Sequence, residues 1–178
     1  MTRRDLVKID AGAAVLEGML ELPASPLGVV LFAHGSGSSR HSPRNNAVAA
    51  RLREAGIATL LLDLLGPDED RSAARRFDIG LLTDRLAMAA SWLGTGPLTA
   101  PLALGLFGAS TGAAAALQLV ARDGSGIAAL VSRGVRPDLA GLDALAAVVA
   151  PTLLIVGGDD GVVVDLNRQA RLLPARYG

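Results

Sequence analysis

From Gly28 onward, short unbroken apolar runs alternate with longer segments whose apolar residues recur at helical spacing. Val29, Val30, Leu31 and Phe32 make Gly28–Ala33 continuously apolar, the pattern of a strand covered on both faces. Strands of the same kind are predicted at Ile57–Leu62, Pro101–Ala109, Ile127–Ser132 and Thr152–Val156. Between them, Ser42-Pro43 reads as an N-cap followed by proline at the first helical position, where its missing N–H costs nothing. That helix is expected to run to Ala55, with Ala47, Ala50, Leu52 and Ala55 inward and Gly56 as its stop. Asp78–Leu93 carries Leu81, Leu82, Leu86, Ala89, Ala90 and Leu93 at helical spacing; further helices are expected over Thr111–Ala121, Leu139–Val148 and Val163–Leu173. The opening differs. Val7–Ile9 and Val15–Leu22 flank Ala11-Gly12-Ala13, and Glu17, Met19 and Glu21 alternate with Leu16, Gly18, Leu20 and Leu22, as in a hairpin with one wet face.

Strands alternating with helices predict the α/β class: a mostly parallel sheet with helices on both faces. Ligands in such sheets bind at the carboxyl ends of the strands, so the residues just after each strand are the candidates for chemistry. Asp63 to Arg76, with Pro67 and many charges, reads as a surface loop, or alternatively as a lid over 68–76.

Composition narrows the function classes. The 178 residues suit one domain, with 51% hydrophobic and 19% charged residues at zero formal net charge. This is a globular composition, with no basic excess to attract nucleic acid. There is no cysteine, which excludes disulfides, thiolate metal sites and thiol nucleophiles. His34 and His41, the two histidines, are too few for a histidine-rich metal site. Met1 to Asp10 lacks an apolar run of signal-peptide length, and the other apolar stretches are broken before membrane-spanning length. A cytoplasmic location without a membrane partner is expected.

The motif with chemistry in it is Gly108-Ala109-Ser110-Thr111-Gly112, a G-x-S-x-G run between a buried strand and a small-residue helix. Such a turn puts the serine on strained backbone, and glycine at the flanks lets strand and helix approach. It lifts Oγ above the sheet and aims a helix N-terminus at the reacting centre. The other reading is a Gly/Ser turn with no chemistry.

Three stretches carry a resemblance: Phe32-Ala33-His34-Gly35-Ser36-Gly37, Gly105-Leu106-Phe107-Gly108-Ala109-Ser110-Thr111-Gly112, and Pro151-Thr152-Leu153-Leu154-Ile155-Val156-Gly157-Gly158-Asp159-Asp160. On these, the chain resembles the α/β-hydrolases, and most closely the dienelactone-hydrolase-like bacterial hydrolases. Dienelactone hydrolases proper use a cysteine nucleophile, and Ser110 stands in that place. The resemblance implies a serine hydrolase of a small-molecule ester, lactone or related acyl compound, with no metal or organic cofactor. The acid would be Asp160, through the family's G-G-x-D turn, although Asp159-Asp160-Gly161 also reads as a turn capping the next helix. The backbone N–H groups of Thr111 and Ser36 would form the oxyanion hole, and His34 with Gly35 would orient the loop. Arg133 and Arg136, past the fourth of the buried strands, are candidates for binding an anionic substrate group, the other reading being a surface ion pair with Asp138.

Chain order in this fold is Ser, acid, His, and no histidine follows Asp160. The resemblance implies a further strand, a loop carrying the catalytic His and a closing helix. The single domain 1–178 is therefore expected to be incomplete at its C-terminus and impaired in catalysis. Its uncovered C-terminal sheet edge would favour association. The alternatives are a catalytically inactive binding module on the same fold, or His41 reaching Ser110 from the opposite side, which chain order opposes. A Rossmann-type nucleotide binder ranks last, because neither Gly-rich turn has G-x-G-x-x-G spacing.

Overall fold

A computed structural model describes residues 2–122 and 125–171. Its described residues form one seven-stranded sheet: β1 Arg3–Asp10, β2 Val15–Leu22, β3 Gly28–Ala33, β4 Ile57–Leu62, β5 Leu104–Ala109, β6 Ile127–Arg133 and β7 Thr152–Ile155, in the order β1-β2-β4-β3-β5-β6-β7. β1 and β2 are the expected antiparallel hairpin, with Leu16, Gly18, Leu20 and Leu22 turned into the core. β2 pairs antiparallel with β4, and every pairing from β4 to β7 is parallel. This is the predicted mostly parallel α/β sheet.

Helix α1 (Pro43–Glu54) covers one face, where Val48, Ala49 and Leu52 meet Phe32, Leu61 and Phe107. The rings of Phe32 and Phe107 lie 5.0 Å apart between centroids. On the other face, α3 (Ile79–Thr95) and α4 (Thr111–Val120) pack together over Leu31, Leu60, Leu106 and Leu130. Asp78 caps α3 by accepting from Leu81 N–H at 3.0 Å. Ala113, Ala114, Ala115 and Ala116 are fully buried. Their short side chains allow α4 to lie close on the sheet.

Several details depart from the periodicity. The inner face of α1 is Asn45, Val48, Ala49 and Leu52, while Ala47 and Ala55 are exposed and Ala50 is half-buried. Alanine is apolar enough for either side of a helix, so the larger Val48 and Leu52, one turn apart, set its rotation. β5 begins at Leu104 because Thr99 closes a turn, its Oγ1 donating to Leu93 C=O at 2.6 Å. The helix expected over Leu139–Val148 is split into a 3-10 turn, Pro137–Leu139, and α5 (Leu142–Ala147). Gly141 separates them with φ of +86°, which the helix cannot absorb. The last helix, α6, covers Gly161–Arg171, and the expected end at Leu173 lies outside the described residues.

Asp63 to Arg76 is not a solvated loop. Leu64 and Leu65 are buried, and a 3-10 turn Glu69–Arg71 precedes the short helix α2 (Ala73–Arg76), capped by Ser72. Glu69 takes both terminal nitrogens of Arg85 at 2.7 Å, and Arg85 also donates to Leu64 C=O at 2.8 Å. Hydrogen bonds from Arg85 are the main reason the Glu69 carboxyl titrates at about 2. The carboxylate of Glu69 therefore fastens the segment to α3.

Candidate active site

The turn from β5 into α4 is built around Ser110, whose φ of 52° and ψ of −122° place it in a region disfavoured for side-chain-bearing residues. It is the one non-glycine with positive φ among the described residues. Its neighbours show why glycine must flank it. A Cβ on Gly112 would stand 2.3 Å from the carbonyl oxygens of Ala33 and His34, and one on Gly108 would stand 2.5 Å from Ala113 Cα. Across the gap, a Cβ on Gly35 would meet Ser110 Cβ at 2.9 Å. The backbones of β3, β5 and α4 thus touch at the Ser110 turn, with no space for a methyl group.

Ser110 itself is exposed, and its side chain makes no capping bond to α4. Its N–H donates to Arg133 C=O at 3.0 Å, and its C=O accepts from Ala113 N–H at 3.0 Å. The turn is therefore held by main-chain bonds, and the hydroxyl is left to solvent and ligand.

His34 is buried and uses both ring nitrogens. Leu64 N–H donates to Nε2 at 3.1 Å, so the proton is on Nδ1, 2.9 Å from Gly35 C=O, to which it donates. It joins the loop after β3 to the end of β4. Arg40 makes a second link, its N–H donating to Asp63 Oδ1 at 2.6 Å and its guanidinium pairing with Asp63 and Glu17. The structure brings His34, Gly35, Ser36 and Thr111 together around one small cavity beside the elbow.

A cleft of about 480 Å³ opens at Ser110, lined by Arg44, Ala109, Arg133, Gly134, Ile155, Val156 and Gly157. It lies at the carboxyl ends of β5, β6 and β7. Arg133 is half-buried, with Nη2 donating to Asn45 Oδ1 at 3.3 Å and a buried Nε that has no partner among the described residues. Arg136 does not line this cleft. It pairs with Asp138 at 2.6 Å on the surface, where its hydrogen bonds hold the Asp138 carboxyl below the ordinary range. Proline at 137 starts the 3-10 turn that brings the two side chains together.

Asp160 is not part of the cleft lining either. Its Oδ1 accepts from Val163 N–H at 3.2 Å and its C=O from Val164 N–H at 2.8 Å, so it caps α6. His41 is exposed, with its own N–H donating to Ser39 Oγ at 3.2 Å, and it too is absent from the lining. Arg44 and Asn45 were not among the sequence candidates. The Ser42-Pro43 start was their signal, since a helix that opens just after the β3 loop sets its first turn on the ligand side of the sheet.

No family model matches the chain. The dienelactone hydrolase of Anabaena variabilis, a crystal structure, is 51% identical over 95% of this chain and 80% of its own, with a TM-score of 0.89. Est1E of Butyrivibrio proteoclasticus superposes with a TM-score of 0.80 over 96% of this chain and 85% of its own; at 15% identity, that likeness concerns the fold alone. Two Mycobacterium tuberculosis proteins, provisionally named phosphoribosyl transferases, are 56% identical over 169 residues, 95% of this chain. The chain spans only 38% of the length of those curated relatives. On the sequence identity and superposition with the Anabaena protein, the chain belongs to the dienelactone hydrolase family of α/β-hydrolases.

Proposed function

We propose that this chain is the hydrolase unit for a small-molecule ester, lactone or related acyl compound, with Ser110 as nucleophile. The observation that carries this reading is the strained, exposed serine at the tip of a central strand, in a turn that tolerates no larger flanking residue. Strain of this kind persists only where the surroundings over-determine it, and it clusters at functional sites. Thr111 N–H, at the start of α4, and Ser36 N–H, in the loop fixed by His34 and Gly35, are the proposed oxyanion donors. Arg133, with Arg44 on the facing helix, gives one wall of the cleft a positive charge, which suits an acyl compound bearing an anionic group.

Asp160 is the proposed acid through the Gly157–Asp160 turn, and would have to exchange its cap on Val163 for an imidazole N–H. Among the described residues, no histidine lines the cleft at Ser110. Turnover by this chain alone is accordingly expected to be slow, supported by the oxyanion donors and binding. The capping role of Asp160 favours a second reading, an inactive binding module on the same fold. A fluorophosphonate probe separates the two. Labelling of the chain that is lost in Ser110→Ala supports the nucleophile; no labelling of either supports the binding module; equal labelling of both removes Ser110 from the mechanism.

A further inference from the structure

The loop that follows β3 has little to bury. Gly35-Ser36-Gly37-Ser38-Ser39 holds two glycines and three serines, and Gly37 sits at a φ of +68°. A stretch of that composition gains little from packing and loses much conformational freedom when it is ordered. It nevertheless runs directly beside Ser110. A Cβ on Gly35 would stand 2.9 Å from Ser110 Cβ and 3.0 Å from the carbonyl oxygen of Ala109.

The loop is held at its two ends. His34 and Arg40 flank it, and they bind the two consecutive residues that follow β4. His34 Nε2 accepts from Leu64 N–H at 3.1 Å. Arg40 N–H donates to Asp63 Oδ1 at 2.6 Å, and its guanidinium pairs with the other oxygen of the same carboxylate. The guanidinium also donates to Glu17 at 3.0 Å, and Asn46 Nδ2 donates to Arg40 C=O at 2.8 Å. Asp63 N–H in turn donates to Glu17 C=O at 2.9 Å, so the anchor is itself fixed to β2. The side chains of Arg40 and Asp63 are each 17% exposed, and a pair so covered is weakly screened.

We infer that Arg40 and Asp63 are positioning residues, which fix where the Ser36 amide stands beside Ser110. The inference rests on Ser110 and the Ser36 N–H acting as proposed above. An oxyanion donor is effective when its place is set before charge develops, and a displacement of a fraction of an ångström weakens it. His34 sets the entry to the loop, and the Arg40–Asp63 pair sets its exit. Ser36 lies between the two.

Fluorophosphonate labelling of Ser110, resolved into a binding constant and a maximal rate, tests the inference on the wild type and on Asp63→Ala, Asp63→Asn, Arg40→Met and Arg53→Met. The last variant breaks a pair of similar burial, Arg53 with Glu21, at the end of α1 away from the loop. The expected result is a maximal rate about tenfold lower in Asp63→Ala and Arg40→Met, with the binding constant unchanged. Asp63→Asn keeps an oxygen for Arg40 N–H and should fall less, and Arg53→Met should match the wild type. Loss of folded protein lowers the labelled fraction and leaves the rate constant alone, so a merely structural role does not give this pattern. Wild-type rate constants in the Asp63 and Arg40 variants overturn the inference and leave Ser110 as nucleophile. An equal fall in Arg53→Met also overturns it. A wild type that does not label removes the function proposed for Ser110, and the inference with it. Should Asp63→Ala fail to fold, Asp63→Asn and Arg40→Met are read in the same way.

Discussion

The elbow and the C-terminal edge of the same sheet are built to different standards. Around Ser110, glycines are hemmed in by backbone: an added Cβ at Gly112 would meet carbonyl oxygen at 2.3 Å. Past β7, Gly157, Gly158 and Gly161 have nothing within 4 Å of such an atom. The strands differ in the same sense. Leu106 in β5 is 2% exposed, whereas Leu153 in β7 is 57% exposed. The comparison teaches that the conformation of Ser110 is imposed from several sides, while the turn carrying Asp159 and Asp160 answers to little beyond its own helix. That is why the side chain of Ser110 is left exposed while that of Asp160 is occupied as a cap.

The sharpest way to break this contrast is to add one methyl group on each side of it. Gly112→Ala forces backbone apart and is expected to cost more than about 4 kcal/mol, enough to abolish cooperative folding. Gly158→Ala should change stability by no more than about 0.5 kcal/mol. Urea denaturation followed by circular dichroism reads both. Equal effects would erase the distinction.

Truncating leucines gives the next largest separation. Leu106→Ala leaves a cavity in the main core and is expected to cost about 3 kcal/mol, against under about 1 kcal/mol for Leu153→Ala. The midpoints of chemical unfolding decide it.

Ser110 allows the strain itself to be weighed. Glycine accepts a φ of 52° freely and alanine does not, so Ser110→Gly should be more stable than Ser110→Ala by about 1 kcal/mol. A reversed order would mean that the turn is relaxed.

A comparable effect comes from Glu69, on the segment fastened to α3. Its folded pKa, about 2, lies below the ordinary 4.5. A depressed carboxyl contributes stability above its ordinary value and loses it as pH falls towards the folded one. The wild type should therefore exceed Glu69→Gln by about 1 kcal/mol at neutral pH, a partly screened pair, with the gap closing between pH 4.5 and 2. A pH-independent gap would assign the effect to packing.

The sheet was readable because unbroken apolar runs such as Gly28–Ala33 and Ile57–Leu62 have no other economical fold, and the elbow because G-x-S-x-G has a steric meaning between a strand and a helix. Where residues were small or charged, the pattern lost its grip. Ala47 and Ala49 look alike in sequence, and only the bulk of Val48 and Leu52 decides which one is buried. The charges from Asp63 to Arg76 suggested solvent, yet Glu69 and Arg85 neutralise each other across 16 residues, a pairing that periodicity cannot register. Likewise, Asp160 satisfies a local N-cap, and local bonds compete with any long-range role the motif suggests.

Arg133 serves the elbow twice, once with its side chain, which bonds Asn45, and once with its carbonyl on Ser110 N–H. Alanine scanning deletes the first contribution and leaves the second untouched, because every residue brings the same carbonyl. An arginine that scores as dispensable in such a scan would still be clamping the backbone of Ser110. Replacing the Ala109–Ser110 amide by an ester, through semisynthesis, is the change that would release it.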